Sequence, residues 1–149
     1  MKTLKHVSSI LLDVTKEKLW DLLTAPEWTE KYMYNCKVIS DFKVGSSIEW
    51  KGEFQGVNAY LVGEVLAIEP KRFLKYSTID PSYSDATVIE NYIHVSYELR
   101  EQNNSLLLTV VNETFDGSEE RMKHVVQGWE GMVFPSISNL LNQGTKIKG

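Results

Sequence analysis

Cysteine is nearly missing from this chain: Cys36 is the single one in 149 residues. No intrachain disulfide can form and a cysteine-built metal site is excluded, which predicts a reducing, cytoplasmic setting. Histidine is scarce as well. His6, His94 and His124 fall on three different predicted elements with no HExxH spacing, so no metal is predicted. The sequence holds no G-x-S-x-G elbow, no G-x-G-x-x-G and no P-loop, and no cofactor is expected. There is no basic excess: 16 Lys and Arg stand against 20 Asp and Glu, a net charge of −4. That balance argues against a nucleic-acid partner. No apolar run approaches the roughly 18 residues of a membrane span. The opening apolar stretch is cut at Asp13 without a small-residue cleavage site, which predicts no signal peptide. Neither a linker, a repeat nor a low-complexity segment divides the chain, so residues 1–149 are expected to form one domain, with a frayed tail at 143–149.

What is present is a globular composition, 42% hydrophobic and 11% aromatic. A chain of this mass buries roughly two-thirds of its surface on folding, enough for a core with a hole in it. Residues 3–12 carry the β-branched and apolar character of a strand. Leu19, Leu22 and Leu23 share one face of a short helix over 15–23. Thr24-Ala25-Pro26-Glu27 has the spacing of a capping box, and Pro26 suits a first turn, so a second short helix is expected through Trp28 to Met33.

Strands then follow one another. Cys36–Ser40 is one. Ser47–Phe54 alternates, with Ile48, Trp50 and Phe54 on the apolar face and Gly52 marking a bend or a close backbone approach. Gln55-Gly56 reads as a hairpin turn into Ala59–Glu69. Phe73–Ile79, Val88–Arg100 and Ser105–Phe115 complete the series, and the stretch 80–85 is the most loop-like. Residues 119–142 change period: Met122, Val125, Trp129, Met132/Val133 and Leu140 form the stripe of a long amphipathic helix, which Pro135 is expected to bend but not end. The order β-α-α-β-β-β-β-β-β-α predicts an α+β fold, a curved antiparallel sheet wrapped on the long C-terminal helix.

That order, with particular residues, resembles the helix-grip superfamily of START-like (SRPBCC) proteins, and within it the branch named for the activator of heat-shock protein 90 ATPase. Trp20-Asp21-Leu22-Leu23-Thr24-Ala25-Pro26 is similar to the family's helix junction, and Asp41-Phe42-Lys43-Val44-Gly45 resembles its valine–glycine turn. Gly63-Glu64-Val65, Glu69-Pro70 and Gly128-Trp129 resemble its strand, turn and closing helix. The resemblance implies an apolar cavity between sheet and helix. It does not imply one activity, because relatives include carriers, cyclases and co-chaperone modules, and function has to be argued from the site.

The candidate site residues are the aromatics expected to face that interior, Trp28, Trp50, Tyr97 and Trp129, with Val133 from the helix and Asn91 from the long strand. Asn91, Asn112, Glu64 and Glu113 interrupt apolar strands and could orient a ligand or move a proton. For Glu113 the solvent-facing reading is preferred, and Cys36 is expected to be structural. No catalytic set is seen, so the reading leans away from an enzyme. It favours a small hydrophobic ligand-binding or carrier protein, lipid or flat aromatic. A chaperone-associated role, by family resemblance, and a cyclase- or hydrolase-like enzyme are the alternatives. Monomer and homodimer both stay open.

Overall fold

In the computed structural model the backbone is described for residues 2–148 and the side chains for 2–142 apart from Phe54. The tail expected to fray, 143–149, and the expected inward face of Phe54 therefore lie outside the residues described in full. Seven strands form one antiparallel sheet: β1 (Leu4–Leu12), β2 (Cys36–Ser40), β3 (Ser47–Phe54), β4 (Val57–Glu69), β5 (Phe73–Thr78), β6 (Ile93–Gln102) and β7 (Ser105–Thr114). Their spatial order is β1-β7-β6-β5-β4-β3-β2. Between β1 and β2 run α1 (Lys16–Thr24) and α2 (Pro26–Tyr32). The C-terminal helix is α3 (Glu119–Gly128), a π-helical turn (Trp129–Val133) and α4 (Phe134–Lys148) in unbroken succession. The expected α+β helix-grip architecture and its element order are those of the structure.

Alternation decides which side chains face inward. In β7, Leu106, Leu108, Val110, Asn112 and Thr114 are buried while the residues between them are half-exposed. The three consecutive leucines are thereby sorted, Leu107 pointing away from the helix. Curvature comes from β4. Its first part pairs with β3 up to Glu64, its last part with β5 from Val65, and a bulge lies between Val65 and Ala67. A bulge bends the strand and sharpens its twist, so the two wings of the sheet splay. On the β3 side of the bulge an isolated bridge, Val62 to Ile79, and the Glu64 N–H donating to the Ser77 hydroxyl (3.0 Å) link β4 to β5.

Two local expectations are corrected. Thr24 does not cap α2. It is the last residue of α1, and its hydroxyl donates back to the Trp20 carbonyl (2.7 Å). The N-cap is Ala25, without a side-chain bond, and Pro26 at the first helical position supplies the preset φ instead. Nor does the long strand begin at Val88. Residues 89–91 form a 3₁₀ turn and the strand starts at Ile93. Asp85 is the cause: its carboxylate accepts from the Thr87 N–H (2.9 Å) and hydroxyl (2.6 Å), a local turn that competes with strand pairing. Ile89, which a strand from Val88 would put in phase with Ile93, Val95 and Tyr97, is 71% exposed.

Pro135 leaves the helix running, as expected, and the π turn directly before it shows how. Proline has no N–H to give and its ring collides with the carbonyl one turn earlier. The widened turn, in which the Phe134 N–H reaches the Trp129 carbonyl five residues back, accommodates both. At that turn Glu130 accepts from the Ser8 hydroxyl (2.7 Å) and lies 3.2 Å from His6 Nε2, tying helix to edge strand. The Ser8 bond first, then His6, hold the Glu130 carboxyl below its ordinary 4.5. A carboxyl with a lowered native pKa contributes stability above its unfolded value and loses it as the pH falls. Thermal melts should therefore show Glu130→Gln flattening the loss of stability below about pH 4.5 relative to the parent chain.

Gly52 meets the close approach expected of it. A Cβ there would stand 2.2 Å from the Asn35 carbonyl oxygen. Gly52→Ala should destabilise at the upper end of the about 1–3 kcal/mol typical of overpacking, read as a lower denaturant midpoint with an unchanged slope.

Candidate functional site

The inner faces of β3, β4, β5, β6 and β7 meet the helix around a cavity of ≈ 330 Å³. Its floor is the sheet: Trp50 from β3, Leu61 from β4, Tyr76 and Thr78 from β5, Ile93 and Val95 from β6, and Asn112 from β7. Val125, Trp129 and Val133 form the roof, and Met33 and Cys36 close the end next to α2. Tyr34, Tyr60, Asp80 and His124 also border it; Tyr34, Tyr60 and His124 are exposed and mark its mouth.

The rings are mutually engaged. Trp50 and Tyr76 lie 5.9 Å apart, Tyr76 and Tyr97 5.5 Å edge-on, Tyr97 and Trp129 5.6 Å edge-on, and Trp129 and Phe134 6.0 Å. Edge-to-face pairs at these separations add about 0.5–1.5 kcal/mol each beyond area burial. The Tyr76 and Tyr97 hydroxyls share a 2.6 Å hydrogen bond. Burial pushes both phenols well above the ordinary tyrosine value, so both are neutral at any physiological pH.

Trp50, Trp129 and Val133 of the six candidate residues border the cavity. Tyr97, on the same face of β6 as Ile93 and Val95, is fully buried, does not border the cavity and spends its hydroxyl on Tyr76. Trp28 lies elsewhere. α2 turns Thr29 and Tyr32 to the core, and Trp28, next to Thr29 on the helix, takes the Lys18 ammonium over its ring at 3.9 Å. Asn91 is in the 3₁₀ turn, its amide donating to the Asp85 carbonyl (3.1 Å) and its own carbonyl accepting from Arg121 (2.7 Å). It braces a loop outside the cavity. Glu113, on the opposite sheet face, pairs with Lys75 at 3.5 Å. Cys36 borders the cavity buried among apolar groups, its thiol pushed up by burial and so uncharged.

Asn112, named above as able to orient a ligand but left out of the candidate set, and Thr78, not named at all, carry the polarity of the site. Asn112 is 0% exposed, and neither its Oδ1 nor its Nδ2 finds a hydrogen-bond partner. Thr78 Oγ1, on the same wall, is likewise buried and unpaired, as is Thr114 Oγ1. A buried polar group without a partner costs about 1–3 kcal/mol. Parity was the signal: Asn112 shares the inward phase of Leu106, Leu108 and Val110, and Thr78 that of Leu74 and Tyr76. At the mouth, Tyr34 and Asn35 both take left-handed conformations (φ 50° and 61°). That turn swings the Tyr34 hydroxyl against the helix at Gly128, where a Cβ would stand 3.0 Å from it.

Among the described residues no cluster of His, Cys, Asp or Glu is placed to hold a metal ion, and no helix is long and apolar enough to cross a membrane.

A family model described as Activator of Hsp90 ATPase homolog 1-like protein matches residues 13–142. A search of curated proteins finds no match. Among solved structures, ChR145 from Cytophaga hutchinsonii is similar over 98% of this chain and 99% of its own, with 26% identity and a TM-score of 0.80. PFC0360w, an Hsp90 activator from Plasmodium falciparum, superposes over 93% of this chain and 96% of its own at 16% identity and a TM-score of 0.71. CalU16 from Micromonospora echinospora covers 92% of this chain over 73% of its own, at 20% identity and a TM-score of 0.69. The last two likenesses are of fold.

The hydroxyl pair at the cavity wall can be tested by a double-mutant cycle. Tyr97→Phe leaves the buried Tyr76 hydroxyl alone and should cost about 1–3 kcal/mol in denaturant melts. Adding Tyr76→Phe should recover part of that loss, since it removes the orphaned group.

Proposed function

We propose that this chain, which belongs to the Activator of Hsp90 ATPase homolog 1-like family, binds a small, mainly apolar molecule in the cavity between its sheet and its C-terminal helix. The observation that carries this reading is the cavity itself: ≈ 330 Å³ walled by Trp50, Tyr76, Ile93, Val95, Trp129 and Val133. Protein interiors pack to crystal density with few voids larger than a water molecule. A space of this size, at the low end of ligand pockets, equals the liquid volume of about eleven waters. That suits an organic ligand of about a dozen to fifteen heavy atoms, such as a two-ring aromatic, and is tight for a four-ring sterol.

The site favours binding over catalysis. Asp80 is the carboxylate among its bordering residues, and its Oδ1 is engaged by the Ser82 N–H (2.9 Å) and hydroxyl (2.5 Å). His124, the bordering imidazole, is exposed. The neutral phenols and thiol farther in offer no charged nucleophile or base at depth.

Trp50 and Trp129 should report occupancy by fluorescence. Titration with two-ring aromatics is expected to shift their emission saturably, and Val133→Trp, which fills the cavity from the roof, should weaken binding at least about tenfold. Absence of any saturable change in the parent chain, or equal binding by Val133→Trp, would sink the ligand-site reading and leave these aromatics as core.

A further inference from the structure

The cavity wall is apolar almost everywhere, and its exceptions are specific. Asn112 is fully buried with both ends of its carboxamide unpaired. Register puts its neighbours in place: Val95 lies opposite it on β6, and Tyr76 lies opposite Val95 on β5, all in one row across the concave face. In the next row stand Thr78 and Ile93, and the Thr78 hydroxyl is also buried and unpaired. Sheet geometry separates Asn112 from Thr78 by on the order of 10 Å: two strands and two residues. Buried polar groups are almost always hydrogen-bonded. Here Asn112 and Thr78 border one cavity of ligand size, together with Trp50, Tyr76 and Trp129.

Resting on the ligand-binding reading above, we propose that the ligand is a neutral ring compound carrying a hydrogen-bond donor and an acceptor side by side, such as a primary amide or a lactam, seated against Asn112, with Thr78 serving a second oxygen or nitrogen toward its other end. The chemistry follows from the amide. Its Oδ1 accepts and its Nδ2 donates in one plane, so the group that satisfies both at once presents a donor beside an acceptor in the complementary order. Negative charge is disfavoured. No Lys or Arg is among the bordering residues, and the Asp80 carboxylate is among them, so an anionic ligand would be buried without a counter-ion. The body is flat because Trp50, Tyr76 and Trp129 flank the same space.

A matched series of two-ring probes tests this: 2-naphthamide, with donor and acceptor; 2-acetonaphthone, of the same shape with the acceptor alone; 2-isopropenylnaphthalene, with neither; and 2-naphthoate, the anion. The parent chain should bind the amide at least about tenfold more tightly than the hydrocarbon, with the ketone between them and the carboxylate weakest, because a site built to pair a polar group rejects the analogue that leaves it unpaired. Asn112→Leu, close to Asn in shape but without the amide, should reverse the order of amide and hydrocarbon. Thr78→Val should preserve it for these probes, which carry no second polar group. The parent-chain series stands alone if Asn112→Leu does not fold. If the hydrocarbon binds the parent as tightly as the amide while Val133→Trp excludes both, the cavity is a ligand site but the polar specificity is refuted. The same refutation follows if Asn112→Leu retains the amide preference. If no probe binds the parent, the ligand-site reading falls and this inference falls with it.

Discussion

The molecule depends on a helix laid across a concave sheet and held there by rings. Trp129 is the joint. It meets Tyr97 of β6 edge-on and Phe134 of its own helix, and Tyr97 in turn contacts Tyr76 and, through it, Trp50 at the far wing of the sheet. Flat side chains make a connected line without filling a volume. A curved sheet and a helix cannot touch everywhere, and the rings of Trp50, Tyr76 and Trp129 border the gap that is left. The cavity is the geometric remainder of that mismatch, and the bulge in β4, which parts the wings of the sheet, widens it.

Architecture was legible in the sequence because it is written in period. The two-residue alternation of Ser47–Phe54 and the helical stripe from Met122 to Leu140 leave few arrangements of seven strands and a long helix. Local punctuation was less legible. Thr24 and Glu27 have capping-box spacing, but Thr24 was already inside the preceding helix and its hydroxyl was taken by Trp20. Residues 88–91 carry apolar character suited to a strand, and a single carboxylate, Asp85, turned them into a loop. That misplacement carried Asn91 away from the interior with it.

The site was legible in part for a related reason. Residue type identified Trp50, Trp129 and Val133, because large apolar groups on inward phases end up around whatever the sheet and helix enclose. Type could not separate Tyr97, which is buried beside the cavity, from Tyr76, which borders it. The difference lies in position across the sheet: Tyr76 shares a row with Val95 and Asn112, whereas Tyr97 stands in the next row, between Leu74 and Val110. Nor could type rank the asparagines. Asn91 and Asn112 look alike in sequence, yet Asn91 spends its amide on a neighbouring loop carbonyl and Asn112 spends neither end of its own. Parity along β7 decides that, and it becomes reliable only once the strand's bounds are fixed.

The π turn beneath Pro135 carries one more consequence. An α-helix advances about 100° per residue, so a turn that takes in an extra residue sets everything beyond it out of phase with everything before. The stripe is therefore not one line but two, joined with an offset. α3 lies on β1 and β7, whereas α4 reaches α2. A strictly regular helix could aim a single apolar face at a single surface. With this stutter the same helix serves two surfaces that do not lie in one plane, and the point of changeover, Trp129 to Val133, is the stretch that roofs the cavity.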